Sequence, residues 1–162
     1  MKNFKLLLII IIVAFSSCSS DDDMNTTPIV QEVKATLDLN ALSSITGNDA
    51  THLIKFNGIA ADQFTSQVIA GDQIIYKIET NDPTTIVRFT NYQYTSGSME
   101  LWKCLKPVST AGWQVGLMVN EDSTDNNLEC KFDMHFQLEV NGVLQTQKTY
   151  LIDPKIRIKL TR

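Results

Sequence analysis

The chain is short of the residues on which catalysis most often rests. Its 162 residues include 2 histidines, 3 cysteines and 2 tryptophans. Only His52 and His135 can serve as an imidazole base, and the chain has neither a Gly-x-Ser-x-Gly elbow nor a His-Glu-x-x-His helix. A hydrolase built on a nucleophile and its base therefore has no sequence support, and no enzyme activity, cofactor or resident metal is expected. Positive charge is also scarce: 14 Lys and Arg face 18 Asp and Glu, a net charge of −4. Nucleic acid is not an expected partner, because neutralising phosphates needs clustered cations. Long apolar runs are missing too. The longest, Leu6 to Phe15, is too short to span a bilayer. Beyond Ile29 no apolar spacing of three and four persists over a dozen residues, which excludes a helical domain, and no internal repeat is present.

What is present begins at the amino terminus. Lys2 and Lys5 precede the apolar run, and Ser16-Ser17 leads into Cys18 and then Ser19-Ser20-Asp21-Asp22-Asp23. Positive charge, a short apolar core and small residues describe a cleaved export signal. Phe15 stands three positions before Cys18, where the general signal peptidase needs a small residue. Phe15-Ser16-Ser17-Cys18 instead resembles the lipobox of lipoproteins, though leucine is its usual first residue and glycine or alanine its usual third. The acidic stretch behind Cys18 resembles the surface-export signal of Bacteroidota lipoproteins. The expectation is a signal peptide over residues 1–17, lipidation at Cys18 and an acidic, polar tether over 18–28. The domain spans 29–162, anchored in the outer membrane and facing the cell surface. Each buried acyl methylene contributes about 0.8 kcal/mol, so two or three chains hold where one is marginal. Losing Lys2 and Lys5 with the signal takes the basic residues from 14 to 12 and the net charge from −4 to −6.

From Ile29 onward the pattern is β. Val33, Ala35, Leu37 and Leu39 alternate with Lys34, Thr36 and Asp38, and Asn40 to Asp49 breaks the strand. Short strands are expected over Thr51–Phe56 and Phe64–Ile69, and a firmer one around Ile74, Tyr76 and Ile78, stopped at Asn81-Asp82-Pro83. Thr84–Tyr94 and Met99–Cys104 read as further strands, with Lys106-Pro107 ending the second. Trp113, Val115, Leu117 and Val119 share a face of the next, with Gly116 as a bulge or close approach. Leu128 to Val140 alternates cleanly, with Leu128, Cys130, Phe132, Met134, Phe136, Leu138 and Val140 on one face, so one side is buried and one is wet. Asn141-Gly142 turns the chain back into Val143–Ile152. A two-residue loop would pair Val140 with Val143, whereas a bulged three-residue loop, slightly favoured, would pair Leu138 with Leu144. Asp153-Pro154 breaks the return, and Lys155, Arg157, Lys159 and Arg162 mark the solvent side of a last strand over Lys155–Leu160. Eight to ten short strands predict an all-β antiparallel sandwich, jelly-roll-like in outline.

Gly71-Asp72-Gln73-Ile74-Ile75-Tyr76-Lys77, the strand around Phe132 to Leu138, Asn141-Gly142 and Tyr150-Leu151-Ile152-Asp153-Pro154-Lys155-Ile156 together resemble the inclusion-body protein family of PixA and AidA. There a similar Gly-Asp opens a central strand and an Asp-Pro precedes the last. The resemblance implies a β-sandwich over Val33 to Leu160, and no specific chemistry.

Several constellations remain. Cys104 and Cys130 could bridge in an oxidising compartment, closing a loop worth about 3.5 kcal/mol, or stay as two free thiols. A copper site on Cys130, Met134, His135 and His52 is opposed by alternation, which sends His135 away from Cys130 and Met134. The loop with Glu121, Asp122 and Asp125 collects oxygen ligands at no known calcium spacing. Trp102 with Tyr92 and Tyr94 is the candidate ligand platform, since aromatic faces suit sugars. The expectation is thus a non-enzymatic binding module for a glycan or protein. The alternatives are a structural or stress-linked lipoprotein, as the inclusion-body resemblance implies, and a metal-dependent hydrolase.

Overall fold

A computed structural model describes residues 27–109, 114–119 and 127–158. Cys18, Trp113, the acidic loop at 120–126, Lys159 and Arg162 lie outside those residues. The strands are β1 (Val30–Leu37), β2 (Lys55–Phe56), β3 (Ile59–Ala60), β4 (Thr65–Val68), β5 (Gln73–Thr80), β6 (Thr85–Gly97), β7 (Leu105–Ser109), β8 (Gln114–Val119), β9 (Glu129–Val140), β10 (Val143–Ile152) and β11 (Lys155–Ile158). Two one-and-a-half-turn helices interrupt them, α1 (Leu39–Ser44) and α2 (Met99–Cys104). The fold is an all-β sandwich, as the alternation predicts.

One layer of the sandwich has the order β1-β5-β8-β7 and the other β10-β9-β11-β4, with β6 beside β9, while β2 and β3 pair only with each other. β9 is the spine of the second sheet because both its edges are paired. β6 runs beside it from Thr85↔Val140 to Gly97↔Cys130. On its other edge β10 and β11 form one broken strand, since Ile152↔Met134 and Lys155↔Lys131 keep a common register across Asp153-Pro154. Proline has no N–H to give the ladder, so pairing lapses there and resumes. The sandwich is not wholly antiparallel: β1 runs parallel to β5, and β11 to β4. Parallel neighbours need a long crossover, here the excursion through α1, β2, β3 and β4.

Alternation packs the interior as expected. Cys130, Phe132, Met134 and Phe136 of β9 are fully buried, as are Ile74 and Tyr76 of β5 and Leu117 and Val119 of β8. Rings run through the core from Phe64 to Phe56 (5.3 Å), Tyr76 (5.5 Å), Phe132 (6.0 Å) and Trp102 (5.8 Å), mostly tilted or edge-on, the contacts the ring quadrupole favours.

Four expectations need correction. Thr51–Phe56 is not one strand but a 3-10 turn over Thr51–Leu53 followed by the two-residue β2. Met99–Cys104 is helix α2: the Ser98 hydroxyl accepts the Leu101 N–H at 3.1 Å, and Leu101 and Leu105, four apart, are both buried. Lys106-Pro107 does not end a strand but lies inside β7. The last hairpin uses the two-residue turn, with Val143↔Val140 and Gln145↔Leu138, and its irregularity comes later, between Gln145 and Tyr150. Asn141 (φ 50°) and Gly142 (φ 79°) both take left-handed backbone, which is what a tight two-residue hairpin needs. The bulge resets the register so that Tyr150, not Gln147, faces Phe136, and their rings stack at 5.3 Å. α1 also forms within the expected break, capped by Asp38, which accepts the Asn40 N–H at 2.8 Å.

Candidate functional site

The two ends of the sandwich differ, and register fixes what lies at each. At one end β1 begins, β4 turns into β5, β6 passes into α2, and β11 finishes. At the other lie α1, the turn from β5 to β6, and the Asn141-Gly142 hairpin. The described chain begins at Thr27, at the first end, which is where the tether expected from the sequence would join and is called the tether end.

Asp72 organises the tether end. It is fully buried, and its carboxylate accepts the N–H groups of Ile29 (2.8 Å) and Ile69 (3.0 Å) and the Gln31 amide (3.2 Å). A buried carboxylate needs such partners, and these bind the start of β1 to the β4–β5 turn. Gly71 (φ +87°) precedes it under Pro28, where a Cβ would come within 2.6 Å of the proline ring. Gly71-Asp72 is thus a structural clamp.

The far end carries exposed apolar side chains. Ile86 of β6 and Leu144 of β10 flank Glu139 of β9 on the outer face, in register with it on either side, and are 41% and 42% exposed. Val143, beside them on the hairpin, is 62% exposed. The Arg88 guanidinium forks onto Glu139 at 2.7 and 3.0 Å, and that pairing holds the Glu139 carboxyl below its usual range. Behind Ile86 an open cleft of about 350 Å³ follows β5 into β6, lined by Lys77, Ile78, Glu79, Asp82 and Pro83 among others. Asp82 shapes it by accepting the Thr84 N–H (2.9 Å) and the Thr84 and Thr85 hydroxyls, which also keep its carboxyl low. Lys77 reaches Glu79 at 2.8 Å. The patch thus joins aliphatic surface to a polar, internally bonded rim. Its sequence signal was the pair Val143-Leu144, which an alternating strand would not leave exposed together.

The predicted aromatic platform does assemble. Trp102 lies 5.8 Å from Tyr92 and 6.1 Å from Tyr94. All three are half-buried, Trp102 rests on Phe132, and the Tyr94 hydroxyl donates to the Gly97 carbonyl at 2.9 Å. They pack as a cover over the core.

Cys104 and Cys130 are free thiols. Cys104 ends α2 and Cys130 faces the core from β9, where burial pushes its thiol up to about 12; that makes it a poor nucleophile. Cys130 and Met134 point inward while His135 sits half-buried on the opposite face, opposite Asn91 and Leu151. His52 is exposed on a short 3-10 turn, Thr51–Leu53. Among the described residues no group of three or more His, Cys, Asp or Glu is placed to hold a metal ion, and no helix is long and apolar enough to cross a membrane.

No known family's sequence profile matches the chain, and no curated protein matches its sequence. Its fold does have likenesses. The inclusion body protein PixA of Burkholderia cenocepacia J2315 superposes with a TM-score of 0.54 at 8% identity, covering 84% of this chain and 98% of that one. At that identity the likeness is of fold alone, and it supports the resemblance suggested by Gly71-Asp72 and Asp153-Pro154. The N-terminal domain of phage TP901-1 ORF48 aligns over 81% of this chain and 98% of that one, at 6% identity and a TM-score of 0.34, too low to carry an argument.

Proposed function

We propose that this chain is a lipid-anchored, non-enzymatic binding module, held on the outer membrane through Cys18 and turned toward the cell exterior, with its ligand site at the end remote from the tether. The supporting observation is the exposed group Ile86, Val143 and Leu144 beside the cleft at Asp82. Clustered exposed aliphatic surface marks interaction sites. Aliphatic side chains around an ion pair suit a protein partner better than a sugar, which stacks on aromatic faces. Protease treatment of intact cells tests the display. The sandwich is expected to be digested while a periplasmic marker survives, and Cys18→Ser is expected to accumulate as uncleaved precursor inside. Survival of the native sandwich would contradict it.

A second reading, a structural or stress-linked lipoprotein, draws on the fold shared with the PixA inclusion body protein. It expects the same aliphatic group to be covered by another copy of the chain. Sedimentation at rising concentration separates the two: a binding module stays monomeric, whereas a self-associating protein shifts, and Leu144→Asp reverses the shift.

A further inference from the structure

The tether end also exposes apolar side chains. Ile29 and Val30 at the start of β1 are 43% and 61% exposed, and Met99 in the first turn of α2 is 44% exposed. Register places them at one end of the molecule: Ile29 is bonded to Asp72, Val119 of β8 pairs with Leu105 at the exit of α2, and Val119 donates to the Asp72 carbonyl at 2.8 Å. Lys103 and Lys106, both exposed, flank the same end. Exposed Glu100 follows Met99 in α2, so the rim carries charge of both signs; apolar side chains with lysines beside them suit the boundary between acyl chains and headgroups.

The length of chain outside the structure says which surface they meet. Eight residues separate Cys18 from Thr27, and even fully extended the nine steps from one Cα to the next span at most about 32 Å. The sandwich is longer than that, since β9 alone, at 12 residues, measures about 40 Å. A lipid surface holding Cys18 therefore lies within about 32 Å of the end with Ile29, and the domain cannot stand inverted on its hairpin end, which would carry Thr27 about 40 Å away.

We propose that the tether end, with Ile29, Val30 and Met99 foremost and Lys103 and Lys106 beside them, rests on the bilayer surface, so that the sandwich stands upright and holds Ile86, Val143 and Leu144 away from it. This rests on the lipid anchor proposed above and adds a fixed orientation to it.

Hydroxyl-radical footprinting tests it with native acylated protein in phosphatidylethanolamine and phosphatidylglycerol vesicles, beside an Ile29→Asp/Val30→Asp variant in the same vesicles. Met99 oxidation in the native protein is expected to be lower than in the variant by about threefold or more, following its loss of solvent access, while Val143 and Leu144 react equally in both. Buried Met134, unoxidised, reports an intact fold, and Val30→Asp alone serves if the double variant exposes it. Equal Met99 oxidation in native and variant protein, or protection of Leu144 in place of Met99, overturns the orientation alone. Absence of acyl mass on Cys18 overturns the anchor and the orientation together.

Discussion

At the scale of the residue, stability concentrates in a few satisfied polar groups. Asp72 sits without solvent contact, and its carboxylate accepts from Ile29 and Gln31 at the start of β1 and from Ile69 in the turn before β5. Asp72→Ala would strand the Ile29 and Ile69 N–H groups, and should cost about 2–4 kcal/mol, read as a lower urea midpoint with unchanged slope. Asp72→Asn keeps one acceptor oxygen and should cost less. A loss below about 0.5 kcal/mol for Asp72→Ala, the level of ordinary surface substitutions, would contradict the clamp. The carboxylates Asp49, Asp82 and Glu139 share another property: hydrogen bonds, and for Glu139 the Arg88 guanidinium, hold each below its ordinary value. A carboxyl depressed in the folded state binds its proton more readily when unfolded. It therefore contributes stability fully above the unfolded value and loses it as pH falls through the folded one. Denaturation midpoints should be level from neutrality down to about pH 5 and fall below about pH 4, the range in which unfolded carboxyls protonate. Arg88→Ala should flatten part of that fall, and an unchanged acid limb would remove Glu139 from the cause.

At the scale of the element, strand alternation was legible and context was not. β5 and β9 follow directly from residues two apart, because a half-buried strand must sort its side chains by face. α2 was missed because Met99–Cys104 is too short for helical spacing to show. Its readable signal was Ser98 as a cap with Leu101 and Leu105 four apart. The β10 register was missed because turn chemistry sets only the first pairs. What decides the rest is the bulge that brings Tyr150 onto Phe136, a tertiary contact no local pattern reveals. The exit from β6 into α2 depends on Gly97 in the same way. Its φ is +94°, and a Cβ there would run into the Glu129 carbonyl oxygen. Backbone cannot swing aside as a side chain does. Gly97→Ala should lower stability by about 2–4 kcal/mol through strain and lost pairing at the start of β9, whereas exposed Ser96→Ala, one residue before, should change it by less than about 0.5 kcal/mol. Thermal unfolding of the two side by side checks this.

At the scale of the whole molecule, the placement of Thr27 gives the sandwich its polarity. Buried Asp72 closes the end at which Thr27 enters, and the hairpin end carries aliphatic surface and a cleft. Of this arrangement the strands were legible in the sequence. It did not show the far-end patch, because Ile86 and Leu144 lie 58 positions apart in the chain and meet only through the register each keeps with Glu139. The aromatic platform illustrates the converse: Tyr92, Tyr94 and Trp102 do come together, half-buried against the core. The proposed polarity matters only if the chain is held at Cys18. Intact-mass analysis of the protein extracted from its own membranes tests that most directly. A tethered sandwich gives a chain that starts at Cys18 and carries the added mass of two or three acyl chains, whereas a mature chain with an unmodified Cys18, or one still carrying residues 1–17, contradicts it.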